Sequence, residues 1–226
     1  ILAIHKRAIW EIPEGLEYEE AAVMDPICNA YKAIAQRSGL LPGENVVIFG
    51  TGSLGLFSVQ IAKIMGALNI VVVGLEEDVK VRFGVARQLG ATEVVNGSAE
   101  DVVQRCQEIC GGSDSIGLVV DCAGANICLK QAIEMVRCNG EIVRVGMGFK
   151  PVGFSINDIS MKAVSIIGHM AYDATSWRNA LQLLAAGRIQ VKPMITHRLG
   201  LSRWEEGFEA MANKEAIKVI LTYDFD

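Results

Sequence analysis

The stretch Val46-Val47-Ile48-Phe49-Gly50-Thr51-Gly52-Ser53-Leu54-Gly55 decides how this chain folds. Its first four residues are apolar, three of them β-branched, and read as a strand buried on both faces. They run directly into a G-x-G-x-x-G cluster, after which residues 53–65 carry a helical apolar pattern closed by Gly66. Asn69-Ile70-Val71-Val72-Val73 then reads as a second strand. Strand, tight turn, helix and strand is the unit of a parallel sheet with helices on both faces, so the expected class is α/β, doubly wound.

The glycine cluster carries chemistry as well as geometry. Gly50 permits the tight turn, Gly52 lets the backbone approach a pyrophosphate, and Gly55 lets the helix pack close to the strand. Thr51, Ser53 and Leu54 complete a loop that opens on a helix N-terminus, where free N–H groups and the positive dipole end suit a phosphate. The same letters occur in S-adenosylmethionine methyltransferases and in βα turns with no ligand, but the strand–loop–helix setting favours dinucleotide binding. An acidic residue is expected about 20 residues onward, at the tip of the second strand, to hold a ribose hydroxyl. Gly74 stands there instead, followed by Glu76, Glu77 and Asp78. Two readings stay open: Glu76, on a longer loop, takes the ribose of NAD, or the missing carboxylate admits the 2′-phosphate of NADP, drawn by Lys80 or Arg82.

Outward from this unit the alternation continues. Residues 78–89 read as a helix closed by Gly90, 93–96 as a strand, 99–110 as a helix and 116–121 as a strand. Leu129, Ala132, Ile133 and Val136 mark the next helix, 141–145 a strand, and 164–167 the last strand of the repeated unit. Beyond it lie a helix through Trp177, Ala180, Leu181 and Leu184, a strand over 194–199, a helix through Trp204, Phe208 and Met211, and a strand over 217–223, none of which obviously extends the sheet. Residues 1–26 read as a short strand and a loop. The expected division is therefore a dinucleotide-binding domain over 27–169, flanked by two parts of a second domain, 1–26 and 170–226.

Composition excludes other classes. With 51% hydrophobic and 21% charged residues the chain is not disordered. A net charge of −5 without any Lys/Arg cluster argues against nucleic acid or an anionic membrane as partner. Residues 45–75 carry one charge, Lys63, yet their glycines and polar residues break them into strand, turn and helix rather than a membrane span. Six irregularly spaced cysteines read as reduced thiols of a cytoplasmic protein. Neither Cys106/Cys110 nor Cys122/Cys128 has the spacing of a zinc knuckle. The chain begins at Ile1 inside an apolar run, as a piece of a longer protein would.

Glu11-Ile12-Pro13-Glu14-Gly15-Leu16, Tyr18-Glu19-Glu20-Ala21-Ala22, Asp25-Pro26 with Asn29-Ala30, Pro42-Gly43-Glu44, the Gly50–Gly55 loop, Gly90-Ala91-Thr92 and Ile195-Thr196-His197-Arg198 together resemble the medium-chain, zinc-type alcohol and polyol dehydrogenases. The sorbitol and threonine dehydrogenase branch is the most similar. The resemblance implies a Rossmann domain inserted into a GroES-like catalytic domain, of which this chain holds the C-terminal portion. It implies that the family's zinc-binding cysteine, His-Glu pair and structural-zinc cysteines lie upstream of Ile1, so that the fragment alone is inactive. For the parent it implies hydride transfer between a secondary alcohol or polyol and NAD or NADP, with zinc, in a homodimer or homotetramer. A zinc-free reductase of the same superfamily and a nucleotide-binding module without catalysis are the alternatives. A methyltransferase does not need the tail after Val164.

Residue by residue, the resemblance implies a metal-side carboxylate at Asp25, where the alternative is a helix N-cap before Pro26. Asn29 would border the nicotinamide, or be a buried amide on a helix. Cys122, Val145, Gly146 and Met147 would line the adenosine and nicotinamide ends, or simply pack at strand ends. Lys218 would reach the pyrophosphate, Tyr172 would stand near the substrate, and His169 would line the nicotinamide pocket. His5 and His197 are expected to be structural or solvent-facing.

Overall fold

The computed structural model describes residues 4–6 and 9–223. Its centre is a six-stranded sheet in the order β3-β2-β1-β4-β5-β6 with every neighbouring pair parallel. The strands are β1 (Asn45–Phe49), β2 (Ile70–Gly74), β3 (Glu93–Asn96), β4 (Ile116–Asp121), β5 (Glu141–Arg144) and β6 (Ser165–Gly168). This is the doubly wound α/β fold, and the strand order reverses between β1 and β4. Ligands of such sheets bind in the crevice beyond the carboxyl ends of the strands at that switch point.

Alternation along each strand divides the core in two. Val46 and Ile48 of β1, with Ile70, Val72, Leu118 and Val120, face one side. There they meet α2 (Met24–Tyr31), α3 (Ser53–Ile64) and α8 (Ala174–Ala185), through Ile27, Leu56, Phe57, Ile61 and Leu184. Val47 and Phe49, with Val71, Val73 and Val119, face the other side, against α5 (Val102–Cys110) and α6 (Asn126–Met135). Each such side chain contributes about 1.5–3 kcal/mol by leaving water. That two-sided burial is why the strands read as unbroken apolar runs. No helix among the described residues is long and apolar enough to cross a membrane.

Several elements differ from expectation. The helix expected over 78–89 is α4 (Arg82–Leu89), preceded by a 3₁₀ turn Glu76–Asp78. Asp78 folds its carboxylate back onto the Leu75 N–H at 2.8 Å and so ends one structure before the next begins. The helix expected from 99 starts at Val102, because Asp101 accepts the Gln104 N–H and caps it. Among the described residues up to 26 there is no strand; instead α1 (Tyr18–Ala21) leads into α2. That helix continues into a π-helical turn, Lys32–Gln36, closed by the i→i+5 bond from Arg37 N–H to Lys32 O. A further short helix, α7 (Ile156–Lys162), has no buried residues, so no apolar stripe announced it.

The tail forms a second, two-stranded parallel sheet, β7 (Ile195–Gly200) with β8 (Lys218–Thr222), connected through α9 (Trp204–Ala212). Polar ties fasten it to the main sheet's helices. Gln60 donates to Gln190 O and accepts the Gln190 N–H, at 3.0 and 2.7 Å. Arg82 Nη2 donates to Ala216 O at 2.8 Å, and Ser53 Oγ reaches Ile217 O at 3.5 Å. The tail thus arrives beside the glycine loop.

Candidate functional site

At the carboxyl end of β1, Gly50 adopts φ +101°, a left-handed conformation in which a side chain is strained. A Cβ on Gly55 would lie 1.9 Å from Gly50 O, so α3 can close on the loop only through glycine. Gly52, the N-cap of α3, has nothing within 4 Å of a built Cβ. Its neighbourhood is open space, and no side chain caps the helix. The first-turn N–H groups of this 12-residue helix therefore face an opening of the kind a pyrophosphate fills. Thr51 is buried beneath the loop, while Ser53 and Leu54 are half-buried.

Beside the loop, the tip of β2 is closed to any side chain. A Cβ on Gly74 would stand 2.5 Å from the Phe83 ring, 2.8 Å from Asp78 Oδ2 and 2.8 Å from Thr51 Cγ2. Of the three acids that follow, Glu76 accepts the Asn96 Nδ2 at 2.6 Å, and Glu77 pairs with Lys214. Asp78 is 5% exposed and pairs with Arg82, whose Nη1 lies 3.4 Å from Oδ1. Arg82, expected as a possible phosphate partner, is thus engaged by Asp78 and Ala216; Lys80 is exposed.

Across the switch point, β4 and β5 end in a shelf that sequence reading named only in part. Asp121, fully buried, accepts the N–H groups of Ala123 and Gly124 on Oδ1 at 3.1 and 2.8 Å. Its Oδ2 receives Arg144 Nη1 at 2.6 Å, and Arg144 Nη2 continues to Gly124 O at 2.7 Å. Burial pushes the Asp121 carboxyl up, opposed by the Gly124 N–H, Arg144 and the Ala123 N–H. The 122–125 and 145–148 loops lie backbone on backbone: a Cβ on Gly146 would meet Gly124 N at 2.3 Å, and one on Gly148 would meet Gly124 O at 2.3 Å. The available signal was an acid ending an apolar strand in register with an arginine on the next, Asp121↔Arg144. Of the residues expected here, Gly146 is buried, Val145 packs against the core, and Met147 is exposed at the rim. The Cys122 Sγ sits 3.6 Å from Ser58 Oγ, and burial pushes its thiol up to about 12, which keeps it neutral.

The third group lies on α2 and the segment after β6. Asp25 is in the first turn of α2, whose N-cap is Val23, so the N-cap alternative for Asp25 does not hold. Asn29, one turn on, donates Nδ2 to Asp25 O at 3.0 Å and to Asp25 Oδ2 at 3.4 Å. Its Oδ1 then faces His169 Nε2 at 3.1 Å, which fixes that nitrogen as the donor and leaves buried Nδ1 without a partner. Burial, then Lys32 and Arg37, hold the His169 imidazole below its usual range. Tyr172 is pushed up by burial and by hydrogen bonding to Asp25, and its ring centroid lies 5.5 Å from that of Trp177. Asp25, Asn29, His169 and Tyr172 are therefore neighbours although the chain separates them widely. Lys218 lines a cleft of about 220 Å³ with Trp204, Phe208 and Met211 beneath α9.

A zinc ion needs about four donors, three of them from protein even at a catalytic site. Among the described residues no group of three His, Cys, Asp or Glu side chains converges, so Asp25 offers one oxygen and these residues alone do not make a zinc site.

Residues 53–186 match the model of a family described as zinc-binding dehydrogenase. The chain is 73% identical over all its 226 residues to the zinc-type alcohol dehydrogenase-like protein YdjL of Escherichia coli (strain K12), covering 63% of that protein. It is 32% identical over 218 residues to sorbitol dehydrogenase of Gallus gallus, covering 95% of this chain and 59% of that one. Among solved structures, 2R,3R-butanediol dehydrogenase from Bacillus subtilis superposes with a TM-score of 0.85 at 28% identity, over 95% of this chain and 60% of that one. The chain thus spans about 60% of the length of the relatives it matches.

Proposed function

The chain belongs to the zinc-binding dehydrogenase family, and from that premise we propose that it is the cofactor-binding part of an NAD- or NADP-dependent alcohol or polyol dehydrogenase. The observation that carries this reading is the Gly50–Gly55 loop, sealed at Gly55 and open at Gly52, at the switch point of the sheet. When bound, the nicotinamide supplies the hydride acceptor or donor. The chain's residues bind and orient it. N–H groups at the start of α3 hold the pyrophosphate, with Lys218 approaching from β8, while Cys122, Val145, Gly146 and Met147 on the shelf support the base and Asn29 borders it. The neutral Cys122 thiol brings no charge to that surface.

On the substrate side, Asp25 and Tyr172 face one alcohol. The Tyr172 hydroxyl, kept protonated, turns its one proton from Asp25 to a second substrate oxygen when substrate is bound, an oxygen that a polyol has and a simple alcohol lacks. Asp25 holds the proton released at the carbinol. In the whole protein Asp25 would stand at a zinc site, as a ligand or as a carboxylate beside the metal's water, with the other ligands supplied from outside these 226 residues, the molecule dividing at about residues 26 and 169. The isolated chain accordingly binds cofactor without turning over alcohol. Calorimetry with NAD and NADP, together with an absorbance assay over a panel of polyols, tests both halves: no binding of either dinucleotide defeats the reading of the loop, and robust turnover defeats that of an incomplete site.

A further inference from the structure

We propose that Lys32, Arg37 and His169 form an anion pocket that receives the terminal phosphate of a phosphorylated polyol. This rests on the substrate-side reading of Asp25 and Tyr172 above and narrows its substrate class. The pocket, about 240 Å³, lies beyond the carboxyl end of β6 and is lined by these three residues with Gly168 and Met170. Its two cations come from one turn of chain. The π-helical turn sets residues five apart over one another, with the Arg37 N–H on Lys32 O at 3.0 Å, and both side chains reach the same cavity. In an α-helix the stacked neighbours are three and four apart.

Neither cation is spent. Lys32 pairs with Asp173 at 3.4 Å, but the Asp173 Oδ1 caps α8 through the Ser176 N–H and Oγ, at 2.8 and 3.0 Å, and Lys32 keeps donors to spare. Among the described residues the exposed Arg37 guanidinium uses only Nη2, on Gly168 O at 2.9 Å. His169 adds an acceptor: with Nε2 donating to Asn29 Oδ1, buried Nδ1 carries a lone pair that no described residue fills. After burial, Lys32 and Arg37 are what hold this imidazole below its usual range, so their field reaches the pocket wall. A phosphate brings close to two negative charges and three acceptor oxygens. Two cations with donors to spare suit it, and Nδ1 suits a protonated phosphate oxygen or a neighbouring hydroxyl.

Position separates this phosphate from those of the cofactor. β6 lies three strands from β1, about 14 Å at the usual spacing, whereas the pyrophosphate belongs at the β1 tip and a 2′-phosphate at the β2 tip, on the far side. The pocket instead adjoins the substrate side. His169 is bonded to Asn29, Asn29 reaches Asp25 Oδ2 at 3.4 Å, and Asp173 follows Tyr172. Lys32 stands seven residues beyond Asp25 on the same run of helix, about 10 Å along its axis. A polyol held at its carbinol by Asp25 and Tyr172 therefore extends its phosphate into the pocket.

NMR titration of this chain with sorbitol, sorbitol 6-phosphate and inorganic phosphate, followed through the backbone amides, tests the proposal. Sorbitol 6-phosphate should shift residues 32–37 and 168–170 together with Asp25 and Tyr172, and bind at least about tenfold more tightly than sorbitol, the scale of one charged hydrogen bond. Inorganic phosphate should shift the pocket residues and leave Asp25 unmoved. Lys32→Met should weaken sorbitol 6-phosphate by about tenfold and leave sorbitol unchanged. Lys130→Met, which removes an equal charge from the exposed side of α6, should change neither. Should Lys32→Met fail to fold by circular dichroism, Arg37→Gln should show the same selective loss. Equal affinities for sorbitol and its phosphate, with Asp25 and Tyr172 shifted by both, would overturn the pocket and leave the substrate-side reading standing. An equal loss in Lys130→Met would reduce the effect to net charge and overturn it too. If every probe leaves Asp25 and Tyr172 unmoved, the substrate-side reading fails, and a pocket that still answers to inorganic phosphate takes free anions only. None of the probes carries a dinucleotide, so the reading of the glycine loop is judged separately.

Discussion

Gly52 and Gly55 carry the same letter in the same motif but perform different tasks, and substitution separates them. A Cβ on Gly52 meets nothing, so Gly52→Val should leave the thermal midpoint nearly unchanged while abolishing dinucleotide binding in calorimetry. On Gly55 a Cβ meets Gly50 O at 1.9 Å, and Gly55→Ala should destabilise the fold by about 1–3 kcal/mol in urea denaturation, through overpacking. Wild-type affinity in Gly52→Val would reduce the loop to a turn. The thiols make another statement at this scale. Burial raises Cys28, Cys106 and Cys122 to about 12, and Cys110 and Cys128 to about 11. Because the folded values exceed those of the unfolded chain, near 9.0, the thiols do not perturb stability below that pH. As pH rises through the window up to about 11–12, unfolding is favoured by thiolate formation. Denaturation midpoints should therefore fall steeply between pH 9 and 10.5, a range we choose inside that window, and a flat profile would contradict the burial of these groups. That the cysteines lack the spacing of a zinc knuckle was legible in the sequence. Which acid packs beside Gly74 was not, because a carboxylate four residues away reaches the strand tip only through the local turn.

Strands β4 and β5 meet at Asp121↔Arg144, and this buried ion pair joins two loops, 122–125 and 145–148, that lie at least 20 positions apart in the sequence. Arg144→Met removes the cation and leaves the Asp121 carboxylate buried among its N–H donors. Loss of one partner of such a pair destabilises by about 3–5 kcal/mol. Denaturation should show that loss, and the double change Asp121→Asn with Arg144→Met should recover part of it, since no uncompensated charge remains. A double variant no more stable than Arg144→Met would show that the pair contributes little to holding the shelf. Elements with strong apolar periodicity, β1, β2, β4 and α3, were legible from their residues alone. Elements whose limits are set by a polar side chain were not: Asp78 delays α4 and Asp101 delays α5. The helix α7 packs no buried residue and so left no pattern to read.

For the whole molecule, β6 forms one edge of the sheet, with Ser165, Ile166 and Gly168 exposed, and it offers unpaired backbone groups to another chain. We expect two copies to pair there about a two-fold axis. Sedimentation should find a dimer at tens of micromolar, roughly where weak two-fold contacts populate, and Ile166→Lys should return it to monomer; a monomer throughout would dismiss the pairing. The same scale shows where the candidate site came from. Asp25 and Tyr172 were legible as neighbours only through family resemblance, since nothing local links residues 147 positions apart. They meet because α2 and α8 pack on the same face of the sheet, tied by Ser176 Oγ to Gln36 Oε1 at 2.8 Å and Asn179 Nδ2 to Tyr31 Oη at 3.0 Å. By itself the sequence determined the class of fold and the position of the glycine loop, because backbone sterics and apolar periodicity act over a few residues at a time. The tertiary structure decided which carboxylate stands at the β2 tip, which ion pair braces the shelf and how Asn29 orients His169, because such contacts depend on strand register and helix packing between segments far apart in the chain.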